Sequence, residues 1–309
     1  KRLNYSDRLA TGTLAAGGTL GILLPPSFIL IIYSFLAEQS IIKLFAAAVV
    51  PAVLAMILYM ASISIYLWLW PEHAPEKTVR ASRKEIVEAT LEAWPIAAIF
   101  LIMFTGIYSG WFTATEGAAV GASSTLLLAI LRRKITFKSA LSAFLPAAQA
   151  SAMIYTMLLG AAMMNTALAV SQVPADLSAW ANSLPYHPLV IVGGFLILFV
   201  FLSCVLDELA MMLLLLPVVL PTIIGLDLFG LTAEYKAIWF GILMLVVVSV
   251  GLIAPPVGLT VYVVANIAKN VPIGEIYRGI MPFLLSDIVR VLLLLFFPIL
   301  TLYLVRFVG

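Results

Sequence analysis

Two short sequences with the same pattern interrupt long apolar stretches of this 309-residue chain: Gly-Ile-Leu-Leu-Pro-Pro-Ser at 21–27 and Gly-Leu-Ile-Ala-Pro-Pro-Val at 251–257. A proline has no backbone N–H and its ring collides with the preceding helical turn, so two in succession break a helix. Broken backbone at membrane depth is stable only where protein buries it or where it lines a wet cavity. A matched pair of breaks therefore predicts the ion and substrate site of a transporter, with two ordinary proline kinks as the alternative.

The composition predicts an integral membrane protein. Hydrophobic residues make up 63% of the chain and charged residues 10%, whereas soluble domains are about 45–50% apolar and about 25% charged. The net charge of +2 and the lack of a long basic run argue against a nucleic-acid partner. The chain opens Lys-Arg-Leu-Asn without Met or a signal-peptide pattern, so we expect a fragment that lacks earlier spans.

Apolar segments long enough to cross a membrane, which takes ~20 residues, alternate with polar loops. The predicted elements, in order, are a broken crossing at 9–36, a crossing at 45–70, an amphipathic interfacial connector at 71–93, two short helices around a bend in 94–131, a crossing at 146–171, a linker at 172–187, a re-entrant helical hairpin at 188–225 with its tip at 203–208, a second broken crossing at 236–268 and a last helix at 281–306. The predicted fold class is an all-α integral membrane protein.

The distribution of Lys and Arg among the loops predicts the topology. The basic segments are placed in the cytoplasm: the N-terminus, 71–93, 132–138 and 269–278. This placement requires the segments with almost no Lys or Arg to lie outside: 37–44, 172–187 and 226–235. The two broken helices then cross in opposite directions, which predicts an inverted-repeat secondary transporter with discontinuous helices. By the same symmetry we expect a counterpart of the hairpin before residue 1.

We divide the chain into five segments on this basis. They are the remainder of the first repeat at 1–70, the cytoplasmic connector at 71–93, central helices at 94–187, a second-repeat transport unit at 188–279 and a C-terminal helix at 280–309.

Three groups of ionisable residues fall at or near membrane depth. Asp207 at the hairpin tip predicts either an ion contact or an N-cap of the returning helix. Glu116, three residues after Thr113, predicts a capping box somewhat more than an ion contact. Asp287 and Arg290, three apart on the last helix, predict a structural ion pair, with subunit docking as the alternative.

Four segments together resemble the large membrane subunit of the tripartite ATP-independent periplasmic (TRAP) transporters. They are 21–27, Phe-Thr-Ala-Thr-Glu-Gly-Ala-Ala at 112–119, Asp-Glu-Leu-Ala at 207–210 and the second break through Gly258, in the order of that family and over nearly all of the chain. The resemblance implies an elevator-type permease in the bacterial or archaeal cytoplasmic membrane. It also implies sodium-driven uptake of an organic anion such as a dicarboxylate or sialic acid. The implied partners are a small membrane subunit and a periplasmic substrate-binding protein.

The chemistry of a broken helix is consistent with that implication. Its free carbonyls can coordinate Na⁺ and the bare N–H groups of its second half can bind a carboxylate. We expect Na⁺ to bind to backbone carbonyls near Gly21 and Gly251. The residues predicted to form the sodium and substrate site are Gly21, Leu24, Pro25, Pro26, Ser27, Thr113, Thr115, Glu116, Asp207, Gly251, Ala254, Pro255, Pro256 and Gly258, with Thr260 as a further candidate.

No cofactor other than the coupling ion is expected, and an enzyme is disfavoured. Both histidines, His73 and His187, lie in loops, and the sequence has no P-loop pattern. A membrane-embedded aspartyl protease would have to pair Asp207 with Asp287, which has a nearer Arg. The main alternative to the predicted permease is a stand-alone ion-coupled carrier or a passive channel for small anions.

Overall fold

A computed structural model describes residues 5–74, 82–132 and 135–308, and every regular element in these ranges is helical. The α-helices are α1 Asp7–Leu23, α2 Phe28–Leu36, α3 Ile41–Leu69, α4 Arg83–Tyr108, α5 Ala114–Leu131, α6 Phe137–Ser171, α7 Val173–Ser183, α8 Pro188–Ser203, α9 Glu208–Gly225, α10 Ala233–Gly251, α11 Leu259–Ile267, α12 Ile273–Phe296 and α13 Ile299–Leu302, with 3₁₀ turns at Pro71–His73 and Leu304–Phe307.

Seven of these helices are long and apolar enough to cross a membrane. Helices α1 and α2, which are bent by 42° at their break, would add an eighth span if they count as one. The seven are α3, α4, α5, α6, α9, α10 and α12. The predicted all-α membrane fold is therefore confirmed.

The chain divides into two compact units, Lys1–Glu76 with Gly160–Gly309, and Lys77–Leu159. In the first unit α10 lies at the centre, because every residue from Ala237 to Gly251 is buried, as expected for a helix that is apolar on all sides. Two buried side chains hold its neighbours in place: the Tyr33 hydroxyl donates to the Ala237 carbonyl at 2.6 Å, and the Trp239 indole donates to the Leu294 carbonyl at 2.8 Å.

A pair of glycines brings α1 and α12 into backbone contact. A Cβ atom on Gly12 would overlap the carbonyl group of Gly279, and one on Gly279 would overlap the carbonyl oxygen of Arg8. Small residues permit this close approach of membrane helices. The first broken helix is thereby packed tightly against the last long helix.

The predicted pair of Asp287 and Arg290 forms inside this unit. Arg290 Nη2 lies 2.8 Å from Asp287 Oδ1, with the two side chains 2% and 1% exposed, and the Tyr59 hydroxyl donates to Asp287 Oδ2 at 2.8 Å. Because the fold buries both charges, their role is structural and they offer no surface for docking.

In the second unit α4 packs against α5 through glycines. A Cβ atom on Gly117 would lie 2.7 Å from Ile107 Cδ1, and one on Gly121 would overlap the Met103 sulfur. The chain turns between the two helices at 109–113, but they are not the two short helices predicted within 94–131, because each is long enough to cross a membrane.

Four of the predicted elements differ clearly from the structure. The connector predicted at 71–93 is not one element: Ser82 and Glu85 form a capping box that starts α4, so 83–93 belong to this helix, while 75–81 lie outside the described residues. The predicted linker contains α7, which Pro174 and Asp176 favour in its first turn.

The other two differences concern α6 and α12. Helix α6 begins at Phe137 and includes Pro146, nine residues before the predicted start at 146. Helix α12 begins at Ile273 and ends at Phe296, just before Pro298, which cannot supply a backbone donor. The division into five functional segments stays a prediction.

Candidate functional site

The first break spans 24–27, between α1 and α2. Because Pro25 and Pro26 lack N–H groups, the carbonyls of Gly21 and Ile22 lose their helical donors. The hydroxyl of Ser27, which is 2% exposed, donates to the Ile22 carbonyl instead. Among the described residues no donor reaches the Gly21 carbonyl.

The second break spans 252–258, between α10 and α11, and repeats this arrangement. Pro255 and Pro256 remove the helical donors of Gly251 and Leu252. The backbone N–H of Thr260 donates to the Leu252 carbonyl at 3.1 Å, whereas no donor in the described ranges reaches the Gly251 carbonyl. In both breaks the carbonyl four residues before the first proline, that of Gly21 or of Gly251, is thus among those without a donor in the described ranges.

The two breaks differ in how the second half-helix begins. Ser27 caps α2 by accepting a hydrogen bond from the Leu30 N–H at 3.4 Å. Gly258 precedes α11 with φ of 57° and offers no side-chain cap. On α12, the Tyr277 hydroxyl donates to the Val257 carbonyl at 2.6 Å, so it holds the second break from the side.

The hairpin of α8 and α9 places its tip against the second break. The Cys204 thiol lies 3.8 Å from the Pro255 carbonyl oxygen. A Cβ atom on Gly251 would overlap the Ser203 hydroxyl. Cys204, Ile253 and Ala254 also share one buried cluster with Ala15 and Ala16 of α1, so the structure brings the tip, the second break and α1 together.

The first break closes this arrangement from the other side. A cavity of about 10 Å³ is lined by Ile22 and Ile29, which flank the break, by Glu208 and Met212 of α9, and by α10. On α1, a Cβ atom on Gly18 would lie 3.8 Å from Thr260 of α11. Of the predicted residues, Leu24 and Pro26 are exposed, Pro25 is half-buried, and Ala254 and Gly258 are buried.

Asp207 at the tip is an N-cap. Its side chain accepts a hydrogen bond from the Leu209 N–H at 3.1 Å and is exposed. The next residue, Glu208, was missed by the sequence prediction. Its Oε2 atom is buried and has no hydrogen-bond partner within the described ranges. The only signal for Glu208 in the sequence was its place next to Asp207 at the tip. Adjacent residues at the start of a helix point in different directions, so a buried Glu208 can follow an exposed Asp207.

Thr113, Thr115 and Glu116 lie in the second unit, at the start of α5. Glu116 Oε2 accepts from the Thr113 N–H at 2.8 Å, and Thr113 Oγ1 accepts from the Glu116 N–H at 3.3 Å. The capping box that the sequence favoured is thus formed, and all three side chains are exposed.

Residues 1–300 match the protein family described as "Tripartite ATP-independent periplasmic transporter, DctM component". The chain belongs to this TRAP family. The resemblance in the sequence is confirmed, and with it a multi-pass permease of the cytoplasmic membrane.

Named relatives support the same family. The chain is 28% identical over 309 residues to the C4-dicarboxylate TRAP transporter large permease protein DctM of Pseudomonas aeruginosa, covering all of this chain and 70% of the relative. It is 27% identical over 298 residues to the sialic acid TRAP transporter permease protein SiaT of Haemophilus influenzae, covering 95% of this chain and 46% of the relative. It is 27% identical over 303 residues to the 2,3-diketo-L-gulonate TRAP transporter large permease protein YiaN of Escherichia coli, covering 96% and 67%. The chain therefore spans less than half of one TRAP relative and about two thirds of the others.

Proposed function

We propose that this TRAP permease takes up an organic anion, a carboxylate or an acidic sugar, by sodium symport and alternating access, with no covalent reaction. The observation that carries the proposal is the pair of carbonyls at Gly21 and Gly251 that have no donor among the described residues, in two breaks that both lie beside the α8–α9 hairpin. Such carbonyls of discontinuous helices coordinate Na⁺ in secondary transporters. Sodium is here a transported ion, and Asp207 is a candidate for a further contact.

The difference between the two half-helices favours one end for the substrate. The N-terminus of α2 is capped by Ser27, whereas that of α11 has no side-chain cap. Bare N–H groups and the helix dipole favour an anion. We therefore place the substrate carboxylate beside Gly258 and Leu259. The C4-dicarboxylates, sialic acid and diketogulonate in the names of the relatives all carry such a group.

The proposal includes two protein partners, a small membrane subunit and a periplasmic substrate-binding protein. The family description, "tripartite", supports both. A stand-alone carrier would accept free substrate, and a passive channel would need no gradient, so the three possibilities differ in measurable requirements.

The test is uptake of labelled succinate and of labelled sialic acid into proteoliposomes that contain the complete membrane complex. We expect uptake of one of them against its concentration gradient, only with an inward sodium gradient and only with the binding protein. Equal rates with and without the binding protein would indicate a stand-alone carrier. Equilibration that ignores the sodium gradient would indicate a channel.

A further inference from the structure

A groove between α3 and α12 takes no part in the proposed transport site. Its volume is about 720 Å³. Apolar side chains such as Ile65, Leu69 and Leu285 line it, and they are 56%, 52% and 65% exposed. Arg8 and Arg278 lie at the end where α3 finishes and α12 begins.

The groove has the length of one membrane leaflet. Its lining on α12 runs from Arg278 to Val289, and eleven residues at 1.5 Å rise span about 16 Å. The hydrocarbon core of a bilayer is about 30 Å thick, so half of it is about 15 Å. If its arginine end lies at the membrane surface, a groove of this length reaches the bilayer midplane.

The arginines at its mouth are only partly neutralised. Arg8 Nη2 lies 2.8 Å from Glu275 Oε2, and Arg278 Nη1 lies 2.8 Å from Glu275 Oε1. One carboxylate thus serves two guanidinium groups, and Arg278 keeps 68% of its side chain exposed. Asp7 lies beside Arg8 but lines a neighbouring depression and not this groove. Among the described residues, two arginines line the mouth and share the one carboxylate of Glu275, which leaves a net positive charge that suits a phosphate group.

We propose that this groove binds one anionic phospholipid, with an acyl chain between α3 and α12 and the phosphate group on Arg278 and Arg8. The charge pattern of the loops puts this end of the chain in the cytoplasm, and the cytoplasmic leaflet carries the anionic lipids. Trp70, 45% exposed at the same end, is typical of the membrane–water interface.

A lipid suits this site better than a transmembrane helix of another protein. A helix would have to bring an acidic residue to the level of Arg278, whereas an anionic lipid carries its charge at that depth.

The test is native mass spectrometry of the delipidated membrane complex, titrated with dioleoylphosphatidylglycerol and separately with dioleoylphosphatidylcholine. We expect one phosphatidylglycerol to bind several-fold more tightly than phosphatidylcholine. Arg278→Gln should weaken phosphatidylglycerol binding roughly fivefold, the effect of one basic residue at an anionic surface. This variant leaves Glu275 paired with Arg8. The matched control is Lys269→Gln, which removes an exposed cation outside the groove.

A second pair of variants tests the acyl-chain site. Ala61 lines the groove, whereas its neighbour Met60 is 67% exposed and does not. Ala61→Trp should abolish binding of the first phosphatidylglycerol and Met60→Trp should not, with both variants eluting as wild type in gel filtration. Equal affinity for the two lipids, or binding that Ala61→Trp leaves intact, would overturn the proposal. Release of a protein subunit by Ala61→Trp would also overturn it, because a protein would then occupy the groove.

Discussion

At the scale of single residues, the ionisable side chains that the sequence singled out turn out to be caps or buried pairs. Capping follows from local spacing, so Thr113, Glu116 and Asp207 were predictable as caps. The buried state of Glu208 was not predictable, because it depends on Ile22, Ile29 and Met212 from distant parts of the chain. A second role for Asp207 in ion binding stays a prediction.

Asp207→Asn separates the two roles of this residue. Asparagine keeps the capping oxygen and removes the charge. We expect stability to stay within ~0.5 kcal/mol of wild type while the half-saturating sodium concentration for uptake rises several-fold. Asp207→Ala should in addition lower stability by ~1 kcal/mol. Wild-type sodium dependence of the Asn variant would remove Asp207 from the ion site.

Glu208→Gln tests the unpartnered carboxyl. A buried carboxylate without a donor is unfavourable when charged, so the neutral amide of the same shape should unfold at the same temperature as wild type or higher. Thermal unfolding in detergent measures this, and Glu234→Gln on the exposed start of α10 is the control for a carboxylate with an ion-pair partner. A Glu208→Gln variant that melts several degrees lower would mean that the carboxylate has a donor after all.

At the scale of elements, the sequence predicted both broken helices and the hairpin, because paired prolines and excess length are local signals. It did not predict which carbonyls of each break stay unpaired. Ser27 and Thr260 satisfy Ile22 and Leu252, and this selection depends on how the chain folds back after the prolines. The start of α4 was missed because charged residues on both sides concealed the cap at Ser82.

Replacing Pro25 and Pro26 by Ala should restore helical donors to Gly21 and Ile22 and let α1 continue into α2. The unpaired carbonyl would then be lost. We expect uptake by the membrane complex to fall at least roughly tenfold, with a smaller change in protein abundance. Pro51→Ala, at a proline inside the continuous helix α3, is the control and should transport nearly as wild type. If the variant without Pro25 and Pro26 took up substrate as fast as Pro51→Ala, the ion site would have to lie elsewhere.

The contact of Gly251 with the hairpin tip makes a second prediction for an element. Gly251→Ala would drive a methyl group into the Ser203 hydroxyl, so we expect a loss of about 1–3 kcal/mol in stability. Gly193→Ala in α8, where a Cβ atom has no neighbour within 4 Å, should be neutral or slightly stabilising. Thermal unfolding compares the two, and an equal effect of both would contradict the packing of the tip on the break.

At the scale of the whole molecule, the segments predicted to lie outside carry an acidic surface. Glu38, Asp176 and Asp227 are exposed, and none is in an ion pair among the described residues. The two lysines in or directly after these segments are engaged within the chain: Lys43 Nζ lies 2.7 Å from Glu234, and Lys236 donates to the Ile224 carbonyl at 3.0 Å. This surface suits a basic docking face on the binding protein.

Uptake that depends on the binding protein should therefore weaken as salt rises, since exposed charges are screened over about 8 Å at physiological ionic strength. Glu38→Gln combined with Asp176→Asn should raise the binding-protein concentration for half-maximal uptake severalfold and flatten its salt dependence. The control is Glu88→Gln, whose carboxylate is exposed on α4 in a segment assigned to the cytoplasmic side. An unchanged salt dependence in the double variant would show that docking uses another surface.

The glycine contact of α1 with α12 has a mechanical consequence. Helix α1 carries the first break, and Tyr277 of α12 is bonded to the second. At Gly12 and Gly279 the backbones of the two helices touch, and no side chain lies between them to yield. We therefore expect the two breaks to move together as one rigid body and not to slide past each other.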